Sequence, residues 1–134
     1  MVLEIELVLR LILTFALSGL VGFEREVSLK PAGLRTHILV GLGSCLITIL
    51  SLEAFPGSDS ARVAASIIVG IGFLGAGTII KTEKKIVGLT TAAGLWITAS
   101  IGIATGAGFY LIAIFTTILA YIVLKLGMFE RALR

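Results

Sequence analysis

Five long apolar segments constrain the fold of this chain more than any other feature of its sequence. Each has 17 to 20 residues and is bounded by charged or Gly/Pro-rich stretches: 5–23, 36–52, 61–80, 89–106 and 109–126. At a rise of about 1.5 Å per residue, such helices match a hydrocarbon core about 30 Å thick. Barrel strands would be about half as long and would alternate in polarity. The sequence therefore predicts an all-α integral membrane protein, a single compact bundle of five transmembrane helices.

The composition excludes an ordinary soluble domain. Only 14% of the 134 residues are charged, against about 25% in soluble domains. The mean hydropathy is +1.12. The chain opens with Glu4 and Glu6 rather than with a basic stretch and then runs apolar for most of a bilayer width. The first segment is therefore interpreted as a membrane span and not as a cleaved signal peptide. The single Cys45 cannot form a disulfide within the chain and is interpreted as a packing residue.

The distribution of basic residues predicts the orientation of the bundle. Nine of the eleven lie on one side of the predicted membrane: Arg25, Lys30, Arg35, Lys81, Lys84, Lys85, Lys125, Arg131 and Arg134. The other side carries four acidic residues and two basic ones: Glu4, Glu6, Glu53, Asp59, Arg10 and Arg62. The positive-inside rule therefore predicts the N-terminus outside and the C-terminus in the cytoplasm. The net charge of +3 thus reflects topology, and nucleic acid is not an expected partner.

The stretch GIGFLGAG, residues 70–77, has the glycine spacing of a dinucleotide-binding loop. It lies inside an apolar segment, with neither a preceding strand nor an acidic residue about 20 positions later, so this interpretation is rejected. Small residues instead predict close helix packing: Gly70, Gly72, Gly75, Ala76, Gly77, Gly94, Gly102 and Gly106. A small bundle has few internal faces, so a homodimer is also expected. The alternative is that glycine is simply common in membrane helices.

Charged and polar residues concentrate at the predicted cytoplasmic edge. The candidates for ligand or partner binding there are Glu24, Arg25, Glu26, Arg35, Thr36 and His37. A helix N-terminus at 35–37 favours anions, and arginine adds a forked donor. Two interpretations stay open: the carboxylates neutralise the arginines, or the cluster binds a ligand, a lipid headgroup or a protein. A lone histidine supports metal binding weakly, and a pH-sensitive contact is the alternative.

The opposite edge offers Arg10, Asp59 and Arg62 as further candidates. Asp59 is expected to cap the third helix, and its spacing also allows it to meet Arg62 on one helix face. Arg10 lies within the first span and needs a partner, with Glu6 the nearest candidate and Asp59 a possibility across the bundle.

The middle of the membrane offers few groups for chemistry. No carboxylate lies there, which disfavours a simple cation pore. Hydroxyl groups could line a polar path or bond their own helices: Ser44, Ser66, Thr78, Thr98 and Ser100. No nucleophile has a positioned base, so neither enzyme activity nor a cofactor is expected.

Three stretches together are more specific than any single glycine pattern. They are GFEREVSLKPAGLRTHILVGLGS (22–44), DSARVAASIIVGIGFLGAGTII (59–80) and GLTTAAGLWITASIGIATGAG (88–108). Through them the chain resembles the transmembrane domain of the MgtC/SapB family. By position, the resemblance adds Thr90 and Thr91 to the candidate binding residues. Longer members carry a soluble C-terminal regulatory domain, which has no counterpart after Arg134 in this sequence.

The resemblance also implies a function. Family members are linked to magnesium limitation and to survival inside host cells, so the expected protein is a multi-pass component of the bacterial inner membrane. It would modulate magnesium-linked ion homeostasis or virulence-related stress adaptation by binding membrane partners. The expected partners are membrane lipids, a second copy of the chain and other membrane proteins. The alternative is a transporter of an ion or small solute.

Overall fold

The computed structural model describes all 134 residues and contains five helices and one short hairpin. The helices are α1 (Val2–Val27), α2 (Leu34–Glu53), α3 (Ser60–Ala76), α4 (Leu89–Gly106) and α5 (Tyr110–Ala132). Strands β1 (Ile80–Lys81) and β2 (Ile86–Val87) pair antiparallel between α3 and α4. The predicted helical class is therefore confirmed, and the hairpin is an addition that the apolar pattern did not predict.

The third apolar segment ends earlier than the predicted residue 80. Helix α3 stops at Ala76, and the chain turns into β1 four residues later. Glycine lowers helix stability at Gly75 and Gly77, and the Thr78 hydroxyl donates a 2.7 Å hydrogen bond to the Gly75 carbonyl. Four helices, α1, α2, α4 and α5, are long and apolar enough to cross a membrane, whereas α3 is also apolar but shorter, with 17 residues.

Helix α4 forms the centre of the bundle because it contacts all four other helices. Helix α3 packs mainly against α2 and α4, and α5 packs mainly against α1 and α4. One apolar cluster joins Val40 and Ile67 to Leu95 and Ala99 of α4. Cys45 is fully buried, as its packing interpretation predicted. Helix α5 therefore presents most of its bulky apolar side chains outward, and α3 exposes Val69, Phe73 and Leu74.

The short connections place residues at two distinct ends of the bundle. The first end holds the start of α1, the loop of residues 54–59 and the turn of residues 107–109. The second end holds the loop of residues 28–33, the hairpin and the end of α5. All nine basic residues that the charge pattern grouped together belong to this second end.

Candidate functional site

A buried ion pair lies near the second end of the bundle, at the end of α1. The Nε of Arg25 donates to Oε2 of Glu24 over 2.6 Å, and their side chains are 3% and 0% exposed. The Ser28 hydroxyl donates to the other carboxylate oxygen of Glu24 over 2.8 Å. Because the charges are removed from solvent, they must neutralise each other where they lie. For this pair, the interpretation that the carboxylate neutralises the arginine is therefore the correct one.

His37 lies beside this pair, inside the bundle rather than at its edge. It is fully buried, and its Cβ faces Gly22 of α1 so closely that a Cβ on that glycine would lie 2.8 Å away. Its Nδ1 is 2.9 Å from the Gly33 carbonyl. A carbonyl only accepts hydrogen bonds, so Nδ1 carries the proton and a neutral ring presents Nε2 as an acceptor. The apolar pattern gave no sign of this burial.

Two buried nitrogen atoms near the second end have no hydrogen-bond partner. They are Nη1 of Arg25, a donor, and Nε2 of His37, an acceptor. The His37 Nε2 points toward Gly94, where a Cβ would lie 3.5 Å away. An unmet buried polar group costs about 1–3 kcal/mol. Near the second end, the interior of α1, α2 and α4 therefore holds one free donor and one free acceptor. No group of three or more metal-ligating side chains occurs in the chain.

Glu26 caps the second helix instead of neutralising Arg35. Its Oε2 accepts a 2.8 Å hydrogen bond from the Leu34 backbone N–H. A Cβ at Gly33 would lie 1.7 Å from that oxygen, so only glycine leaves room for the carboxylate. The anion that the start of α2 was expected to attract is thus supplied by the chain itself. Arg35 and Thr36 are exposed and line a cavity of about 360 Å³ beside Glu26.

Arg10 anchors a second polar cluster at the first end of the bundle. Its Nη2 donates to Oε1 of Glu6 over 2.6 Å, which confirms Glu6 as its partner and makes the Asp59 alternative wrong. Its Nη1 donates to the Gly106 carbonyl over 2.7 Å, and its Nε donates to the Tyr110 hydroxyl over 2.9 Å. The Tyr110 hydroxyl in turn donates to Glu6 over 3.0 Å. These contacts tie α1 to the junction of α4 and α5, a role for Tyr110 that the sequence did not indicate.

The remaining candidates at the first end and on α4 lie apart from these clusters. Asp59 accepts from the backbone N–H groups of Ala61 and Arg62 at 3.1 and 3.4 Å, so its predicted capping role is confirmed. It forms no ion pair with Arg62, which instead lines a cavity between α2 and α3. Thr91 is buried at the start of α4, whereas Thr90 is exposed and lines a cavity between α4 and α5.

Four of the eight predicted packing residues contact a neighbouring helix. A Cβ at Gly102 would lie 2.5 Å from the Gly41 carbonyl of α2, and one at Gly106 would lie 2.8 Å from the Cys45 carbonyl. Gly75 faces Ala92 across α3 and α4, and Gly94 faces His37. For the other four no close contact with a second helix is seen: a Cβ at Gly70 or Gly72 would meet no atom within 4 Å, one at Gly77 would meet only its own helix, and Ala76 is exposed. Their packing against another chain stays a prediction.

Most of the buried hydroxyl groups bond their own helices, whereas that of Ser51 has no partner. Six of them donate to the backbone carbonyl one turn earlier in the same helix: Thr14, Ser18, Thr48, Thr98, Thr105 and Thr117. Ser66, Thr78 and Ser100, which could have lined a polar path, bond their own helices or helix end in the same way. Ser44 and Ser66 both line the cavity between α2 and α3.

These features define a multi-pass α-helical membrane protein with a polar cluster at each end of an apolar bundle. The chain belongs to the MgtC family, whose model matches residues 11–131. The resemblance seen in the sequence is thereby confirmed. No solved structure matches the chain.

Three relatives illustrate the similarity. The "Putative magnesium transporter YhiD" of Escherichia coli K12 is 43% identical over 128 residues, which cover 90% of this chain and 60% of the relative. Protein SapB of Bacillus subtilis is 41% identical over 114 residues, covering 78% and 49%. Protein MgtC of Brucella abortus is 48% identical over 94 residues, covering 70% and 40%. The chain thus spans about half the length of the curated relatives it matches.

Proposed function

We propose that this protein is a non-enzymatic component of the bacterial inner membrane that modulates magnesium-linked ion homeostasis by binding other membrane proteins. A second copy of the chain is one such partner. In this proposal all five helices cross the bilayer, with the N-terminus outside and the C-terminus in the cytoplasm. The nine basic residues grouped at the second end support that orientation. The name of the YhiD relative supports the link to magnesium.

The exposed face of α3 carries the proposal of partner binding. Helix α3 packs mainly against α2 and α4, and much of the rest of its surface is exposed. Gly72 has open space around it, and Ala65 and Ala76 are exposed beside it. Val69 and Phe73 project from this face with 76% and 84% of their surface exposed. Small residues flanking a ridge allow another helix to approach closely, which is how helices associate in a bilayer.

The interior hydroxyl groups also favour a binding role over a conduit. A path for an ion needs oxygen atoms that are free to replace its hydration shell. Most interior hydroxyls are held against their own helices by donating to carbonyls one turn earlier, which fixes their orientation, and the charged clusters lie at the two ends. This arrangement suits a packed scaffold that is held together at both ends.

Cysteine crosslinking in native membranes tests the proposal. In a Cys45→Ala background, Ala76→Cys is expected to form a crosslinked dimer or a specific heteromer. Gly127→Cys is the matched control because it lies at the same end of the bundle, on α5, with open space around it. Equal crosslinking at both positions would contradict the proposal, as would crosslinking at neither.

A growth assay then links the α3 face to function. A Cβ at Gly72 would meet no atom within 4 Å, and a leucine there has room in the shallow cavity beside α4. The Gly72→Leu variant should therefore fold but fail to restore growth of a deletion strain at low magnesium. Gly127→Leu should restore growth. Full complementation by Gly72→Leu would show that the face is not needed.

Transport of an ion or small solute is the second candidate function. Its support is the buried cluster in which Arg25 and His37 each keep one unpartnered nitrogen beside the Glu24 carboxylate. Vesicles containing only the purified chain and lipid separate the two functions. Transport requires saturable Mg²⁺ flux that Glu24→Gln abolishes, whereas partner binding predicts no such flux in lipid alone.

A further inference from the structure

A long groove separates α2 from α3 on the outer surface of the bundle. Its volume is about 630 Å³, and its walls are mainly aliphatic, including Leu39 and Ile47 of α2 and Ile71 of α3. The groove stays open because Gly43 and Gly70, one on each wall, have no atom within 4 Å of where a Cβ would be. The missing side chains at these two glycines therefore leave the space between the helices unfilled, in contrast to Gly102, where the missing side chain lets α4 pack closely against α2.

The length of the groove matches one leaflet of a bilayer. Along α3 its lining runs from Arg62 to Leu74. Twelve residues of helix correspond to about 18 Å at about 1.5 Å per residue. Half of a hydrocarbon core about 30 Å thick is about 15 Å. One acyl chain lying along α3 would thus fill the groove from the edge of the membrane to about the midplane of the bilayer.

One end of the groove carries a positive charge that the chain itself does not neutralise. Arg62, in the first turn of α3, takes part in none of the ion pairs of the molecule. The nearby Asp59 uses an oxygen to cap α3. A guanidinium at the membrane edge binds phosphate through paired, charge-assisted hydrogen bonds, and its aliphatic stem can lie along apolar surface. The charge and the apolar walls together suit an amphiphile with an anionic head.

We propose that this groove binds one acidic phospholipid, with an acyl chain between α2 and α3 and its phosphate on Arg62. The acyl chain would fill the space between α2 and α3 that no side chain occupies at Gly43 and Gly70. The phosphate would provide the counter-charge that Arg62 lacks. The site is separate from the partner-binding face, because Gly70 lines the α2 side of α3 whereas Gly72 and Ala76 line a cavity on the α4 side.

Native mass spectrometry of the purified full chain tests the headgroup contact. The probes are palmitoyl-oleoyl phosphatidylglycerol and the zwitterionic phosphatidylethanolamine with the same chains. Wild type should retain phosphatidylglycerol preferentially, and Arg62→Gln should weaken that binding about tenfold with little effect on phosphatidylethanolamine. Arg131→Gln, an exposed arginine at the other end, is the control and should bind like wild type. An unchanged preference in Arg62→Gln would overturn the proposal.

Filling the groove tests the acyl-chain contact. Gly70→Leu should lower retention of both lipids, and Gly43→Leu, on the opposite wall, should do the same if the first variant fails to fold. Gly127→Leu makes the same chemical change on α5 outside the groove and should have no effect. Full lipid retention by a folded groove variant would overturn the proposal. So would crosslinking of a cysteine at Gly70 to a second chain, because a protein helix would then occupy the groove.

Discussion

Replacing Gly102 with alanine is expected to force α2 and α4 apart. The added Cβ would lie 2.5 Å from the Gly41 carbonyl oxygen, 2.8 Å from the Ser44 Cβ and 3.1 Å from the Cys45 backbone nitrogen. Two of these three atoms belong to the backbone, so no side-chain rotation can relieve the overlap. An ordinary contact begins near 3.4 Å, and α4 must therefore move by about 1 Å relative to α2. A gap of that size removes a quarter to a half of the dispersion energy of the facing atoms.

The expected destabilisation is that of an overpacked core, about 1–3 kcal/mol. For a chain of this size that corresponds to a lowering of Tm by about 4 to 12 °C. Thermal unfolding in mild detergent can be followed by the reaction of a thiol-specific dye with Cys45. This residue is the only cysteine, is fully buried, and lies next to the α2–α4 contact, so its labelling reports loss of that contact.

The control for this prediction is Gly127→Ala. Gly127 lies in the interior of α5 with open space around it, so alanine should raise helix stability by up to about 1 kcal/mol without any clash. A Gly102→Ala protein as stable as wild type would refute the argument that backbone contact holds α2 and α4 together. An equal loss of stability in both variants would refute it as well.

Three further substitutions test contacts elsewhere in the molecule. Glu24→Gln should destabilise the protein by about 3 kcal/mol because it leaves the Arg25 charge buried without a partner, and Glu24→Gln/Arg25→Gln should recover part of that loss in the same unfolding assay. Tyr110→Phe should lower Tm by less than Glu24→Gln, since it removes one hydroxyl from a cluster that keeps its other contacts. Gly88→Ala should open the hairpin, because Gly88 has φ +96° and a Cβ there would lie 2.0 Å from the Thr78 carbonyl oxygen. Faster proteolysis within residues 81–87, with no change in the rest of the chain, would be the expected result.

Much of the fold follows from the length and spacing of the apolar segments. The central part of every helix, the Asp59 cap and the Arg10 partner were all predicted from local spacing, because each depends on residues within one or two helical turns. The early end of α3 was missed. The apolar run continues through Ile79 and Ile80, but the helix ends at Ala76, where the glycines and the polar residues of the following hairpin no longer favour it.

The candidate sites were predicted less completely because they depend on how each helix is rotated. The apolar pattern gives the span of α2 but not which of its faces meets α1, so the burial of His37 could not be predicted. The same limit applies to Tyr110, which reaches Glu6 from a position 104 residues away in sequence. Glu26 was identified as part of the charged edge, but its capping of Leu34 depends on the shape of the intervening loop.

The early end of α3 has a consequence for the surrounding bilayer. At about 1.5 Å per residue its 17 residues extend for about 26 Å, whereas the 23 residues of α5 extend for about 35 Å. In the proposed arrangement with α3 crossing the bilayer, the membrane beside α3 is expected to become thinner to match its length, whereas the membrane beside α5 is not. Each copy of the protein would deform its membrane on one flank, and this elastic asymmetry would draw it toward thinner regions of the bilayer.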